Sequence, residues 1–430
     1  MAWQLLGIAN VAPGCAAGLE ATSRTTRCRG RRPAAASAPY RLDPPLSRRW
    51  ELARDGRTPT GSGRPKQNLS PIGGFGMTTT STDRVPEQGP LDDDGVQQEL
   101  LLMLAGKWVA GTLNVLARVG VADLLADGPR GIDDLAEASG THAPTLHRFM
   151  RAAASVGVFA ERADKTFELT PKAQYLRSDV PGSLRYLAYF YGETTVWNCW
   201  GSAIDTLRTG EPNGRKLRDG KNFFEYLEQE APEFAAAFHK AMSELNESRA
   251  PKIAASFDFG RFATIADLGG GQGRFLSAIL RQYPQSRGIL FDIETAIASA
   301  PPVLAAQGVA DRVRLVSGSF FDEVPSGANA YTMKAIMHDW ADAECRKVLG
   351  RIRQAIGDDA EARVLIVDGV VPDGNDPSYI KLMDISMGVT NGGRERTVAD
   401  WTSLVEESGF EVVAIHPTEQ PHSIVECRPV

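Results

Sequence analysis

Ile265-Ala266-Asp267-Leu268-Gly269-Gly270-Gly271-Gln272-Gly273-Arg274 decides how the rest of this chain is read. A short apolar run ends in clustered glycines, and Phe275, Leu276, Ile279 and Leu280 then recur at helical spacing. Strand, tight turn and helix in that order open the ligand site of a doubly wound α/β domain. Spacing narrows the ligand. Gly269, Gly271 and Gly273 give G-x-G-x-G, whereas a dinucleotide fingerprint needs a further small residue where Arg274 or Leu276 stands. The open turn can bring backbone amides to a ligand's polar end, but nothing in it favours a pyrophosphate.

A second carboxylate refines this. Ser286-Arg287-Gly288-Ile289-Leu290-Phe291-Asp292 reads as the next parallel strand, with Asp292 at its carboxyl end. An acid roughly 20 residues past the glycine loop suits the two hydroxyls of a ribose. Together, loop and acid point to S-adenosylmethionine as the cofactor. The competing reading of Asp292 is a strand-end acid that caps the following helix.

The 430 residues leave room for about two or three domains. Hydrophobic content of 43% and charged content of 23% are ordinary for a globular chain. The net charge of −6 hides an asymmetry: residues 1–76 carry twelve Lys/Arg against four Asp/Glu, leaving −14 for residues 77–430. An acidic body argues against nucleic acid as a main partner. Cys15, Cys28, Cys199, Cys345 and Cys427 show neither zinc spacing nor a disulfide framework, so a reducing cytoplasm is the expected location. No apolar stretch approaches a membrane span in length. The first 76 residues are rich in Arg, Pro, Ala, Gly and Ser without sustained periodicity, which predicts disorder and a natural start at Met77. The expected layout is a tail over 1–95, a helical domain over 96–250 and a catalytic domain over 251–430.

From Val96 to about Leu125 a long helical pattern runs through Leu101, Leu104, Trp108, Thr112 and Leu116, broken near Gly120. Its apolar side is wider than one globular face needs, so a homodimer is expected. Residues 131–170 then read as two helices and a two-stranded wing, a winged helix-turn-helix. DNA binding is the rival hypothesis for that module. Its second helix offers only His147, Arg148 and Arg151, few cations for a phosphate footprint. Residues 183–250 look helical and aromatic-rich, and Trp197 and Met242 are candidate walls of a cavity for a flat ligand. Met387 and Asn391 are further candidate acceptor contacts. From Ile265 onward strands alternate with helices at 264–268, 287–292, 312–316, 329–335, 363–368, 411–416 and 423–428. This predicts a Rossmann-like, seven-stranded, mostly parallel sheet ending in an antiparallel hairpin, with its ligand at the carboxyl ends of the strands.

Lys334-Ala335-Ile336-Met337-His338-Asp339-Trp340 carries the candidate chemistry. His338 follows a strand's carboxyl end, on the rim shared by Gly269 and Asp292, and is the candidate general base. Methyl transfer from a sulfonium to oxygen is an in-line displacement in which the acceptor needs activation. A phenol of pKa near ~10 is almost wholly protonated at neutral pH. A neutral imidazole of pKa near ~6.5 can take that proton as the new bond forms, typically contributing about 10²–10⁴-fold. Asp368, ending the next strand, and Glu395 are candidates to orient it. For Glu395 the alternative is an N-cap or a salt bridge to Arg394 or Arg396. No His/Asp/Glu cluster has metal-ligand spacing, so a metal-independent reaction is expected.

The motifs Asp267-Leu268-Gly269-Gly270-Gly271-Gln272-Gly273, Met337-His338-Asp339-Trp340 and Gly392-Gly393-Arg394-Glu395-Arg396-Thr397 resemble the S-adenosylmethionine-dependent O-methyltransferases of the plant caffeate/flavonoid type. The nearer likeness is to their actinobacterial relatives in antibiotic biosynthesis. It extends from about Gln97 to the C-terminus. The resemblance implies a homodimer with a helical, winged-helix-like dimerisation domain and a Rossmann-like catalytic domain acting on an aromatic phenol. It implies His338 as base with Asp368 and Glu395 beside it, and Gly269, Gly271, Asp292, Lys334, Ser319 and Phe320 around the cofactor. Two departures stand out: Ser319 replaces an acid at the adenine, and Asp368 is one methylene shorter than the plant-type Glu. The family also holds cofactor-binding members that hydroxylate or decarboxylate, a second alternative to methyl transfer.

Overall fold

The computed structural model describes residues Asp94–Val430 apart from Asn222. The expectations about a tail and a start at Met77 lie outside the described residues.

The apolar pattern after Val96 forms two helices, Asp94–Leu104 and Gly106–Arg118, which meet at 43°. The sequence pattern predicted no break before Gly120. Ala105 adopts a turn instead, next to Gly106, a residue about 1 kcal/mol poorer than Ala inside a helix. Helices Ile132–Ser139 and Ala143–Ser155 follow, then strands β1 (Phe159–Glu161) and β2 (Phe167–Leu169), paired antiparallel. Leu116, Val121, Leu135, Met150, Phe159 and Phe167 bury their side chains together as this unit's core. At roughly 1.5–3 kcal/mol for each fully buried large apolar side chain, they suffice to hold two short strands. The wing is closed further by His147, whose ring meets Phe167 edge-on at 5.9 Å. Among the described residues no single helix is long and apolar enough to cross a membrane.

Between residues 185 and 255 the chain is helical, ending in the long helix Pro232–Ala255. Phe190, Phe223, Phe234 and Phe238 pack against one another there, with Phe190 and Phe234 stacked at 5.7 Å. Met242 lies against this cluster.

The remaining strands are β3 (Thr264–Leu268), β4 (Arg287–Asp292), β5 (Val313–Ser317), β6 (Ala330–Lys334), β7 (Arg363–Val371), β8 (Arg396–Thr397), β9 (Phe410–Pro417) and β10 (His422–Pro429). Seven form one sheet in the order β5-β4-β3-β6-β7-β10-β9, with β3 to β7 parallel and β10 antiparallel to both its neighbours. The eighth strand, β8, was not anticipated; it pairs in parallel with Val370 and Val371 at the far end of β7. Two residues are too short a run for alternation to reveal. Apolar side chains such as Ala266, Leu268, Val364 and Ile366 bury one sheet face, and Ile265, Leu290, Leu365 and Val367 the other. The direction of winding reverses between β3 and β6. The carboxyl ends of those strands therefore diverge from a crevice, and a ligand belongs there.

Candidate active site

The glycine turn sits on this crevice. Gly269, Gly271 and Gly273 have φ of +68°, +59° and +78°, the left-handed region open to glycine at little cost. A side chain at Gly269 would meet Ile336 at 2.6 Å, whereas Gly271 faces open space. The turn is tied to the next strand through Asp292, whose Oδ2 accepts the Gly271 N–H at 2.8 Å. Its Oδ1 accepts the Ile293 N–H at 2.7 Å. Asp292 thus braces the glycine turn, a role the sequence did not disclose. Phe320 is buried beside Gly269, and buried Ser319 accepts the Phe321 N–H through Oγ at 3.3 Å.

Asp267, one residue before the end of β3, is a buried carboxylate that accepts the Thr332 hydroxyl at 2.9 Å and has one oxygen, Oδ2, without a partner. Burial pushes it up to about 6, against the pull of Thr332 and Lys334. Burial likewise draws the Lys334 ammonium down to about 8, while Asp267 and Asp368 resist. Lys334 Nζ donates to Asn246 Oδ1 at 2.5 Å, joining the sheet rim to the long helix above it. Open space over Gly271, an orphaned acid oxygen and a strand-tip carboxylate together fit a nucleoside carrying a charged, polar tail.

The base lies on the same rim. After β6, Ala335 takes φ +53°, a strained value for a residue with a Cβ, and the chain turns through Met337–Asp339. That turn is held from three sides. Asp368 Oδ2 accepts the Met337 N–H at 3.1 Å. The buried Arg396 guanidinium donates to the Met337 and Trp340 carbonyls at 3.1 and 3.0 Å and to Asp342 Oδ1 at 2.7 Å. The Arg394 N–H donates to the His338 carbonyl at 2.9 Å, so closely that a Cβ on Gly393 would strike that carbonyl.

His338 Nδ1 lies 2.8 Å from Glu395 Oε1, while its Nε2 is 3.9 Å from Asp339. Of the two acids considered, Glu395 meets the imidazole and Asp368 meets the backbone beneath it. Neither Arg394 nor Arg396 pairs with Glu395: both reach Asp342, and Arg394 also reaches Asp400. Burial lowers the imidazole's proton affinity, but Asp339, Asp368 and Glu395 outweigh it and raise His338 to about 10. Burial pushes Asp368 up to about 7 despite His338. The acids around the ring therefore favour its protonated form.

The acceptor residues fall less uniformly. Met387 is buried on helix Tyr379–Thr390, and Asn391 caps it with a buried, unpartnered Oδ1. Trp197 instead packs on the N-terminal helices, with the Lys107 ammonium 5.5 Å from its ring. Arg218 escaped the sequence reading. Buried, it donates to the Thr390 carbonyl at 2.8 Å and so fastens the helical segment to the stretch leading into Glu395. Nothing in the local pattern marks it, because its partner is 172 positions away.

Two domain families match this chain: an O-methyltransferase dimerisation domain over residues 101–179 and an O-methyltransferase domain over residues 200–411. An 8-amino-8-demethylriboflavin N,N-dimethyltransferase of Streptomyces davaonensis is 40% identical, across 74% of this chain and 92% of that protein. A phenazine O-methyltransferase of Lysobacter antibioticus is 39% identical, across 77% and 96%. A solved mitomycin 7-O-methyltransferase superposes with a TM-score of 0.71 at 32% identity, covering 78% of this chain and 98% of its own. Other solved relatives were crystallised with S-adenosylmethionine or S-adenosylhomocysteine. The glycine turn, the strand-end acid Asp292 and the imidazole on one rim, with these matches, show that the chain belongs to the S-adenosylmethionine-dependent O-methyltransferase family.

Proposed function

We propose that this enzyme methylates a phenolic hydroxyl of an aromatic secondary metabolite without a metal, with His338 as general base. The observation that supports it most is the 2.8 Å contact between His338 Nδ1 and Glu395, which leaves Nε2 for the acceptor. Gly269, Gly271, Asp292, Ser319, Phe320 and Lys334 would hold the cofactor, which supplies an electrophilic methyl on a sulfonium. Glu395 fixes the ring and stabilises the imidazolium that results from proton capture. Ala335 and the Asp368–Met337 contact set where the ring stands. Met242, Met387 and Asn391 would wall the acceptor so that its oxygen meets the methyl in line, an ordering that contributes at least as much as the base.

Other finer features belong to the same reading. Helices Asp94–Leu104 and Gly106–Arg118 expose Leu101, Leu102, Met103, Leu104 and Trp108, an apolar face that a second copy of the chain would cover. His147 is spent on the wing, at 5.9 Å from Phe167 and 3.8 Å from Glu161, which weakens a groove-reading role for that helix and favours a protein without a nucleic-acid partner. A cytoplasmic location fits three buried free cysteines, Cys199, Cys345 and Cys427. An aromatic amine is the second reading of the acceptor, because the 40% identical relative is an N,N-dimethyltransferase. Paired phenol and aniline acceptors with methyl-labelled cofactor separate the two: label on the phenol oxygen supports the proposal, label on nitrogen alone replaces it, and no transfer ends both.

A further inference from the structure

One guanidinium near this crevice has no counterion among the described residues. Arg249 is half-buried on helix Pro232–Ala255, and among the described residues it has neither an ion pair nor a hydrogen bond. Met242, Asn246 and Arg249 follow at spacings of four and three, which places them on one helix face. Asn246 is bonded to Lys334 at 2.5 Å, so that face looks onto the sheet rim. Two acids near it on this helix pair elsewhere: Glu244 with Lys240 at 3.6 Å and Glu247 with Arg274 at 3.9 Å.

On the sheet, His422 is the first residue of β10, in register with Gly369 and so one position from Asp368 on β7. Its Nδ1 is buried without a hydrogen-bond partner. Burial holds its imidazole well below the ordinary value, and the charges of Lys334, His338 and Arg249 push the same way. Asp267 and Asp368 offset the charge of Lys334. The Arg249 charge also reaches the Tyr191 hydroxyl, which is bonded to that of Tyr379 at 2.7 Å. Tyr379 opens the helix that carries Met387, so the Arg249 charge is felt on the side of the proposed acceptor walls as well as at Lys334. A cation without an ion pair and an orphaned imidazole nitrogen within range of its charge suit an anion with acceptor oxygens.

We propose that Arg249, seconded by His422, receives a carboxylate carried by the aromatic acceptor, so that the preferred acceptors are aromatic hydroxy acids rather than neutral phenols. This rests on the methyltransfer reading above. The test uses 3-hydroxy-2-naphthoic acid and its methyl ester, titrated calorimetrically into the full chain saturated with S-adenosylhomocysteine. The acid should bind about 10-fold tighter than the ester or better, a difference of about 1.4 kcal/mol. Arg249→Met should bring the two within about 2-fold of each other, and Arg249→Lys should keep part of the preference. Equal binding by the unaltered protein, no binding of the acid, or a preference that survives Arg249→Met would overturn the proposal. A fall of the variant's S-adenosylhomocysteine affinity by about 10-fold, with the acid preference intact, would reassign the guanidinium to the cofactor's own carboxylate. Absence of label transfer to any phenol sinks the methyltransfer reading instead, so the two failures are told apart.

Discussion

His338 and Glu395 stand 57 positions apart in the chain, yet Nδ1 of one lies 2.8 Å from Oε1 of the other. With Nδ1 donating, the ring presents Nε2 to the crevice, and an anion sits where positive charge develops. Because Asp339, Asp368 and Glu395 raise His338 above the ordinary 6.5, kcat/KM should rise with pH through a midpoint above that value. Glu395→Gln removes one anion that favours the imidazolium, so its midpoint should move down. Its kcat should fall about 10-fold as the ring loses its orientation. A pH–rate profile checks both, and an unmoved midpoint would detach Glu395 from the base.

Asp368, bonded to the Met337 backbone and adding its charge at the ring, also bears on stability. Its folded-state value of about 7 lies above the usual carboxylate range because of burial, so the folded protein favours the protonated acid. That stabilisation is full below about pH 4 and is lost as pH rises through 7. Asp368→Asn keeps an oxygen for the Met337 N–H. Its Tm relative to the unaltered protein should therefore be more favourable at pH 8.5 than at pH 5. Thermal melts at the two pH values decide this, and the opposite sign would contradict it.

Arg396 is the buried fork beneath the catalytic turn, shared by two carbonyls and Asp342 and lying 5.0 Å from the Trp401 ring. Lysine cannot reproduce planar, multidentate donation. Arg396→Lys should lower unfolding free energy by about 2–4 kcal/mol and reduce kcat more than it raises the acceptor's KM. Denaturant titration with steady-state kinetics measures both; a variant of unchanged stability would contradict the role given to the fork.

The helices before Arg118 carry the prediction about assembly. Leu104 and Trp108 are 70% and 74% exposed, an extent that large apolar side chains seldom show unless another surface covers them. The double variant Leu104→Glu/Trp108→Glu should run as a monomer in light scattering, against a dimer for the unaltered chain. An unaltered chain that is monomeric at micromolar concentration would refute the expected homodimer.

The doubly wound sheet was legible because strand, turn and helix signals are local: a glycine cluster between two periodic runs can be read within ten residues. The imidazole's place on the rim followed from counting strands, since side chains after parallel strands share one end of the sheet. Contacts across the fold were not legible. Asp292 gripping Gly271, Arg396 beneath Met337, Arg218 under Thr390 and Asp368 bonding backbone instead of imidazole all depend on packing between distant segments. The bend at Ala105 was hidden for a different reason. A run of leucines satisfies a helical pattern on every face, so periodicity has nothing to lose at a break.

The central claim is that His338 removes the acceptor's proton as the methyl is transferred. Single-turnover transfer from methyl-labelled S-adenosylmethionine to a phenol, in the unaltered enzyme and in His338→Ala, tests it most directly. Label should appear on the phenol oxygen, and the variant should slow about 10²–10⁴-fold while binding S-adenosylhomocysteine within about 3-fold of normal. Equal transfer rates in the two proteins would contradict the account.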